Sequence, residues 1–91
     1  MAKMVVIPQS LSNYLDGVRR VEVNGDTVGN VLNELVRRYP VMHPYLLDED
    51  GEIIQSLNVF LNAVEIRSLE GTDTPLQDED VIILVTPISG G

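Results

Sequence analysis

The sequence predicts one α+β domain over residues 1–91: a mixed sheet of four to five strands, one main helix on one face, and a flexible tail at residues 87–91. Three observations carry this prediction. Residues 28–39 are apolar at helical spacing. Residues 4–7 and 81–85 are continuous apolar runs of strand length. After residue 85 the chain has no apolar run left to pack. Ninety-one residues suffice for one hydrophobic core and are too few for two.

Taken in order, residues 3–7 form a short apolar run closed by Pro8, the pattern of a buried strand. Residues 9–17 are turn-rich. Residues 18–23 give a second strand with Val21 and Val23 on one face and Arg20 and Glu22 on the other, ended by Asn24-Gly25-Asp26. Thr27 is a helix N-cap, and Val28, Val31, Leu32, Leu35, Val36 and Tyr39 follow as one stripe. Glu34 is spaced to pair with Arg38, while Arg37 and Arg38 suit the negative end of the helix dipole, and Pro40 stops the helix. Gly29 lies inside it at a cost of about 1 kcal/mol relative to alanine, for which close packing of helix on sheet is the expected reason.

Residues 41–54 read as irregular, with a turn at Asp50-Gly51. Leu57, Val59 and Leu61 then alternate with Asn58, Phe60 and Asn62, so Phe60 should point away from the core. An outward aromatic between two asparagines is a candidate partner surface; the alternative is that the segment 41–54 covers it. Residues 64–66 can form a brief edge strand, and residues 71–80 a turn-rich crossing with Pro75 and Asp78-Glu79-Asp80. The run 81–85 is expected at the sheet centre, parallel to the first strand, because central strands lose polar alternation. One helix covers one face, so the other should be largely wetted. A hairpin followed by a helix crossing to a further strand is the β-grasp arrangement.

Composition removes several functions. Fourteen acidic against six basic residues give a formal charge of −8, which phosphate backbones repel. Nucleic acid is therefore not an expected partner; the acidity would steer the chain toward a basic protein. With no cysteine there is no disulfide, thiolate metal site or cysteine nucleophile. No apolar run approaches the ~20 residues of a membrane span, and the apolar start is too short for a signal sequence. The expectation is a cytoplasmic protein that does not bind membranes.

His43, the only histidine, has no cysteine or second histidine to complete a metal or nucleophile site. No G-x-S-x-G surrounds any serine. Aligning Gly51 with the sixth position of a calcium loop leaves Leu46 and Leu57 where carboxylates are required, so residues 48–52 read as a solvated acidic turn. Residues 78–80 read likewise. Gly25 and Gly29 belong to no phosphate-cradling motif. No catalytic residue and no bound cofactor or metal is predicted for this chain.

What remains is the tail. At average glycine usage about one chain in two hundred ends in Gly-Gly. Here the pair closes a six-residue segment that reaches roughly 20 Å when extended. Two residues without a Cβ let a backbone enter a slot that excludes side chains. The tail, Ile88, Ser89 and Gly90, would then deliver the α-carboxylate of Gly91 into a partner's active site.

Over its whole length the chain resembles the ThiS/MoaD family of ubiquitin-like sulfur carriers. The resemblance rests on the first strand ending in Ile7-Pro8, on Gly25-Asp26-Thr27-Val28-Gly29 opening the helix, on Asn58-Val59-Phe60-Leu61-Asn62, on residues 64–67, and on Asp80-Val81-Ile82-Ile83-Leu84 leading to Gly90-Gly91. Length and the segment 46–51 look closest to the MoaD-like carrier of cysteine biosynthesis. The resemblance implies that a ubiquitin-activating-type adenylyltransferase uses ATP and magnesium to adenylate Gly91. A persulfide or sulfide donor would then leave a thiocarboxylate there. An acceptor enzyme, cysteine synthase-like, molybdopterin synthase large-subunit-like or tRNA-thiolating, would consume it. Two alternatives stay open: a ubiquitin-like modifier conjugated through Gly91, and a non-catalytic β-grasp interaction module.

Overall fold

The two apolar runs that lack polar alternation take the centre of the sheet. In the computed structural model, which describes residues 2–86, strand β1 (Ala2–Val6) lies parallel to the last strand, β5 (Val81–Val85), with Met4 opposite Val81 and Val6 opposite Ile83. Strand β2 (Arg20–Asn24) pairs antiparallel with β1, and β3 (Asn58–Leu61) antiparallel with β5. The short β4 (Val64–Glu65) closes the edge beside β3, giving the order β2-β1-β5-β3-β4. This is the mixed β-grasp sheet expected from the element order. The tail predicted at residues 87–91 lies outside the described residues.

Between β1 and β2 the turn-rich segment contains one turn of helix, α1 (Gln9–Ser12), followed by a 3-10 turn at Asn13–Leu15. Both are too short to show a period, yet they bury Leu11 and Leu15. Strand β2 starts later than expected: Gly17 takes φ +85° and Val18 is exposed, so the ladder begins only at Arg20.

The main helix, α2 (Val28–Arg38), starts where Thr27 accepts a hydrogen bond from the Asn30 N–H at 3.1 Å. Val28, Val31, Leu32 and Leu35 are buried in one core with Val5, Ile7, Val23, Ile82 and Leu84. Glu34 pairs with Arg37 rather than Arg38, whose guanidinium instead donates to the Glu22 carbonyl at 3.0 Å and ties the helix end to β2. Tyr39 is the cap and packs against the core.

The two glycines at the helix entrance have different reasons to be there. A Cβ on Gly25 would lie 2.8 Å from the Val31 backbone nitrogen, so only glycine lets β2 turn tightly into α2. A Cβ on Gly29 would lie 3.1 Å from the Thr72 carbonyl oxygen. Gly29 therefore faces the crossing segment, not the sheet, which corrects the expectation. The 3-10 turn Gly71–Asp73 sits there, and the next residues staple α2: the Val28 N–H donates to the Thr74 carbonyl at 3.0 Å, and the Leu76 N–H to the Asp26 carbonyl at 2.9 Å. The first bond satisfies a donor that the helix start leaves open, and the second ties the crossing to the residue before the cap.

Residues 41–54, read as irregular, hold a 3-10 turn (Pro40–Met42), the short helix α3 (His43–Leu46) and a bridge between Leu47 and Ile53. They bury Met42, Leu46 and Leu47. The connection from β3 to β4 is a two-residue turn, Asn62-Ala63, with φ of 50° and 82°, the left-handed pair a tight hairpin needs. Asn62 also accepts from the Val81 N–H at 2.9 Å and donates to Asp80 at 2.8 Å, fixing the start of β5.

Candidate functional site

Strand β5 carries the chain to its tail. β1 flanks its residues 81–83 and β3 its residues 82–85, so its end cannot swing without breaking the ladder to β3. The last described residue, Thr86, shares a 2.7 Å hydroxyl–hydroxyl hydrogen bond with Ser10 at the start of α1. The departure point is thus held by the sheet and by a contact between residues 76 positions apart. The five residues beyond it have a contour reach of about 17 Å. Of the predicted site residues, Ile88, Ser89, Gly90 and Gly91 lie outside the described residues.

Phe60 is placed as alternation predicts. Val59 and Leu61 are buried under α2, and Phe60, half-buried, stands on the opposite face beside its cross-strand partners Ile83 and Glu65. This second face is partly open to solvent, as expected, but it is apolar at its centre. Met4, Val6, Val81 and Ile83 join Phe60 there as half-buried side chains, and Val85 is 38% exposed. The cause is the sheet order: β1 and β5 are central and apolar on both sides, so their outward residues make a continuous apolar stripe. Arg20, Glu22, Asn58 and Glu65 rim it. Arg67 braces one side of that rim, donating to Asn58 at 3.0 Å and to the Leu57 carbonyl at 3.0 Å.

The other candidates resolve into structure. The Asp48 carboxylate accepts from the Asp50 and Glu52 N–H groups at 2.8 and 3.0 Å, closing the Gly51 turn. Asp80 accepts from the Gln77 N–H at 2.7 Å and from Asn62. His43 is exposed at the start of α3. Among the described residues no group of three or more His, Cys, Asp or Glu could hold a metal, and no helix is long and apolar enough to cross a membrane. A cavity of about 140 Å³ lies beside Ile53, Leu57, Ile66 and Arg67 and contains none of the predicted site residues.

Among the described residues the electrostatic perturbations fall on the Glu34–Arg37 pair and on Tyr45. The hydrogen bond from Arg37 holds the Glu34 carboxyl below its ordinary range. The hydrogen bond between the hydroxyls of Tyr14 and Tyr45, whose rings stack 5.1 Å apart, raises the Tyr45 phenol.

Sequence reasoning missed the Ser10–Thr86 contact, which no local pattern announces. It also passed over Met4, Val6 and Ile83 as neighbours of Phe60, although the alternation that turns Phe60 outward applies equally to them.

Comparison with known proteins agrees with this geometry. The chain matches the ThiS family over residues 5–91. It is 28% identical over 89 residues to the sulfur carrier protein CysO of Mycobacterium tuberculosis, covering 96% of each chain. It is 40% identical over 73 residues to small archaeal modifier protein 1 of Haloferax volcanii, covering 79% of each. Its fold is similar to that in the crystal structure of the Amycolatopsis orientalis BexX/CysO complex, with a TM-score of 0.89 at 26% identity over 99% of this chain and 100% of that chain.

Proposed function

The chain belongs to the ThiS family, and from that premise we propose that it is a sulfur-carrier protein whose working group is the α-carboxylate of Gly91. The observation that carries this reading is the continuity of a doubly paired central strand with the Gly90-Gly91 segment, in a chain matched over nearly its whole length by a sulfur carrier. The fold provides a rigid body and a fixed departure point; the tail provides the reacting atom.

In this reading the chain is a co-substrate. A Gly91 carboxylate oxygen attacks the α-phosphorus of ATP in an adenylyltransferase that holds the magnesium, and pyrophosphate leaves. Sulfide then attacks the acyl carbon; the C–S bond forms as the C–O bond to AMP breaks. A persulfide donor gives an acyl disulfide instead, which a second thiol cleaves to the same thiocarboxylate. Activation is required because oxide is too poor a leaving group to be displaced from a carboxylate. An acceptor enzyme then takes up the thiocarboxylate sulfur. The apolar stripe around Phe60 and Ile83 is the docking face, and the −8 charge favours partners with basic surroundings.

A second reading, a protein modifier joined through Gly91 to lysines, is favoured by the 40% identity to an archaeal modifier protein. The product separates the two. With activating enzyme, ATP, magnesium and a sulfur source, a carrier gains the mass difference between sulfur and oxygen, and loses the gain without ATP or when Gly91 is deleted. A modifier yields isopeptide-linked conjugates. If neither product forms, and if the variant lacking Gly91 binds its partners as the parent does, the chain is an interaction module.

A further inference from the structure

An activated acyl group is a hazard to the molecule that bears it, because any neutral amine can take it. In aminolysis the amine nitrogen attacks the Gly91 carbonyl carbon and a C–N bond forms. The C–O bond to AMP, or the C–S bond of a thioester, breaks, and the amine proton passes to solvent. Lysines on a second copy of the carrier are among the acceptors at high carrier concentration.

This chain has one lysine. Of the other basic side chains, the arginines at positions 19, 20, 37, 38 and 67 are not acyl acceptors under these conditions, and an acyl group taken by the imidazole of His43 would be lost to water and leave no stable conjugate. Lys3 is also not on the surface. It stands in β1 opposite Val23, on the face that α2 covers, and is 3% exposed. Its ammonium lies 4.0 Å from the carboxylate of Asp78, itself 65% exposed, so the charge is partnered at the margin of the core. To present this amine to a carbonyl carbon, the side chain must leave the core face and its contact with Asp78. Lysine is ordinarily among the least buried residues, which makes a sole lysine on the core face a departure that composition alone does not explain.

We propose that Lys3 is a withheld acceptor: by carrying a single, core-facing lysine the protein keeps its activated Gly91 from being captured by a second copy of itself through an isopeptide bond. The inference rests on the reading that Gly91 becomes an acyl donor. As a carrier, the chain then loses none of its activated form to lysine-linked self-conjugates; as a modifier, it is attached in single units without lysine-linked chains.

Two measurements test this without any activating enzyme, so their outcome is separate from whether Gly91 is adenylated in the cell. The first is the acylation rate at Lys3 with an amine-reactive succinimidyl ester, read by peptide mass mapping. The reference amine is one introduced by Arg37→Lys, at a side chain 74% exposed that keeps its Glu34 partner. Reaction through local opening should make Lys3 at least about tenfold slower than the introduced amine in the folded protein, and equal to it in denaturant. A smaller difference overturns the proposal. The second uses the full chain prepared as a thioester at Gly91 and incubated with itself. Arg37→Lys should yield a Gly91–lysine cross-link at position 37, while the parent yields none at Lys3. A Lys3 cross-link in the parent, or equal absence of cross-links in both, overturns the idea that burial of this amine protects the acyl group.

Discussion

Replacing Gly25 by alanine should destabilise the protein without touching its tail or the apolar stripe around Phe60. The added Cβ would sit 2.7 Å from a Val31 side-chain carbon and 2.8 Å from the Val31 backbone nitrogen. Ordinary contact begins near 3.5 Å, so the backbone must open by about 0.7 Å. The side chain can rotate; the nitrogen cannot yield, because its N–H donates to the Thr27 carbonyl at 3.0 Å in the first turn of α2. Overpacking of this kind costs about 1–3 kcal/mol. For a domain of this length a loss of about 2 kcal/mol lowers the melting temperature by about 10 °C. Urea unfolding followed by circular dichroism reads the change as a fall in midpoint with unchanged slope. Combining Gly25→Ala with Val31→Ala should not restore the loss, since the backbone contact remains. A single-variant change below about 0.5 kcal/mol would refute the steric argument and leave Gly25 explained by turn propensity alone.

Three further outcomes follow from the geometry. Ala63→Gly should stabilise the protein by about 0.5–1 kcal/mol, because alanine at φ 82° is strained and Asn-Gly is the preferred tight-hairpin pair; a lower unfolding midpoint would contradict this. In an alkaline absorbance titration one of the three tyrosines should ionise above the ordinary value of 10.0, and Tyr14→Phe should return it there. The sign follows from the raised phenol: the contribution to stability is complete at neutral pH and is lost as pH rises through the folded-state value, so Tyr14→Phe should flatten the alkaline limb of a stability–pH curve. Phe60→Ala should weaken binding to the activating partner by about 1–2 kcal/mol, roughly a tenfold rise in Kd by calorimetry, with the fold retained; unchanged affinity would remove Phe60 from the docking face.

What could be read in the sequence was set by how local its cause is. The helix was legible because Thr27 caps it and its buried residues repeat at one period over eleven residues, long enough for periodicity to show. The central strands were legible because burial on two faces removes alternation from residues 81–85. Helices α1 and α3 were not, since four residues contain one turn and no period. The reason for Gly29 was misassigned because its neighbour, Thr72, lies 43 positions away and belongs to a turn whose placement depends on the whole fold. For the site, Phe60 and the Gly90-Gly91 tail could be named from pattern and resemblance. The Ser10–Thr86 contact could not, because it joins two ends of the chain. The single lysine is visible in the sequence, but its meaning depends on the side of β1 to which Lys3 points.

The position of β5 has a mechanical consequence for any partner that grips the tail. A pull on Gly91 is transmitted along the axis of a strand whose hydrogen bonds to β1 and β3 run across that axis. Such a load acts on the ladders in shear, so bonds on both flanks share it and must fail together rather than one after another. At the far end, Asn62 holds the Val81 N–H and adds a side-chain tether to the same strand. Had the tail grown from edge strand β2 or β4, the same axial pull would load a single ladder instead of two. Under the proposed function, a carrier pulled by its tail would therefore be withdrawn from its partner as a folded body.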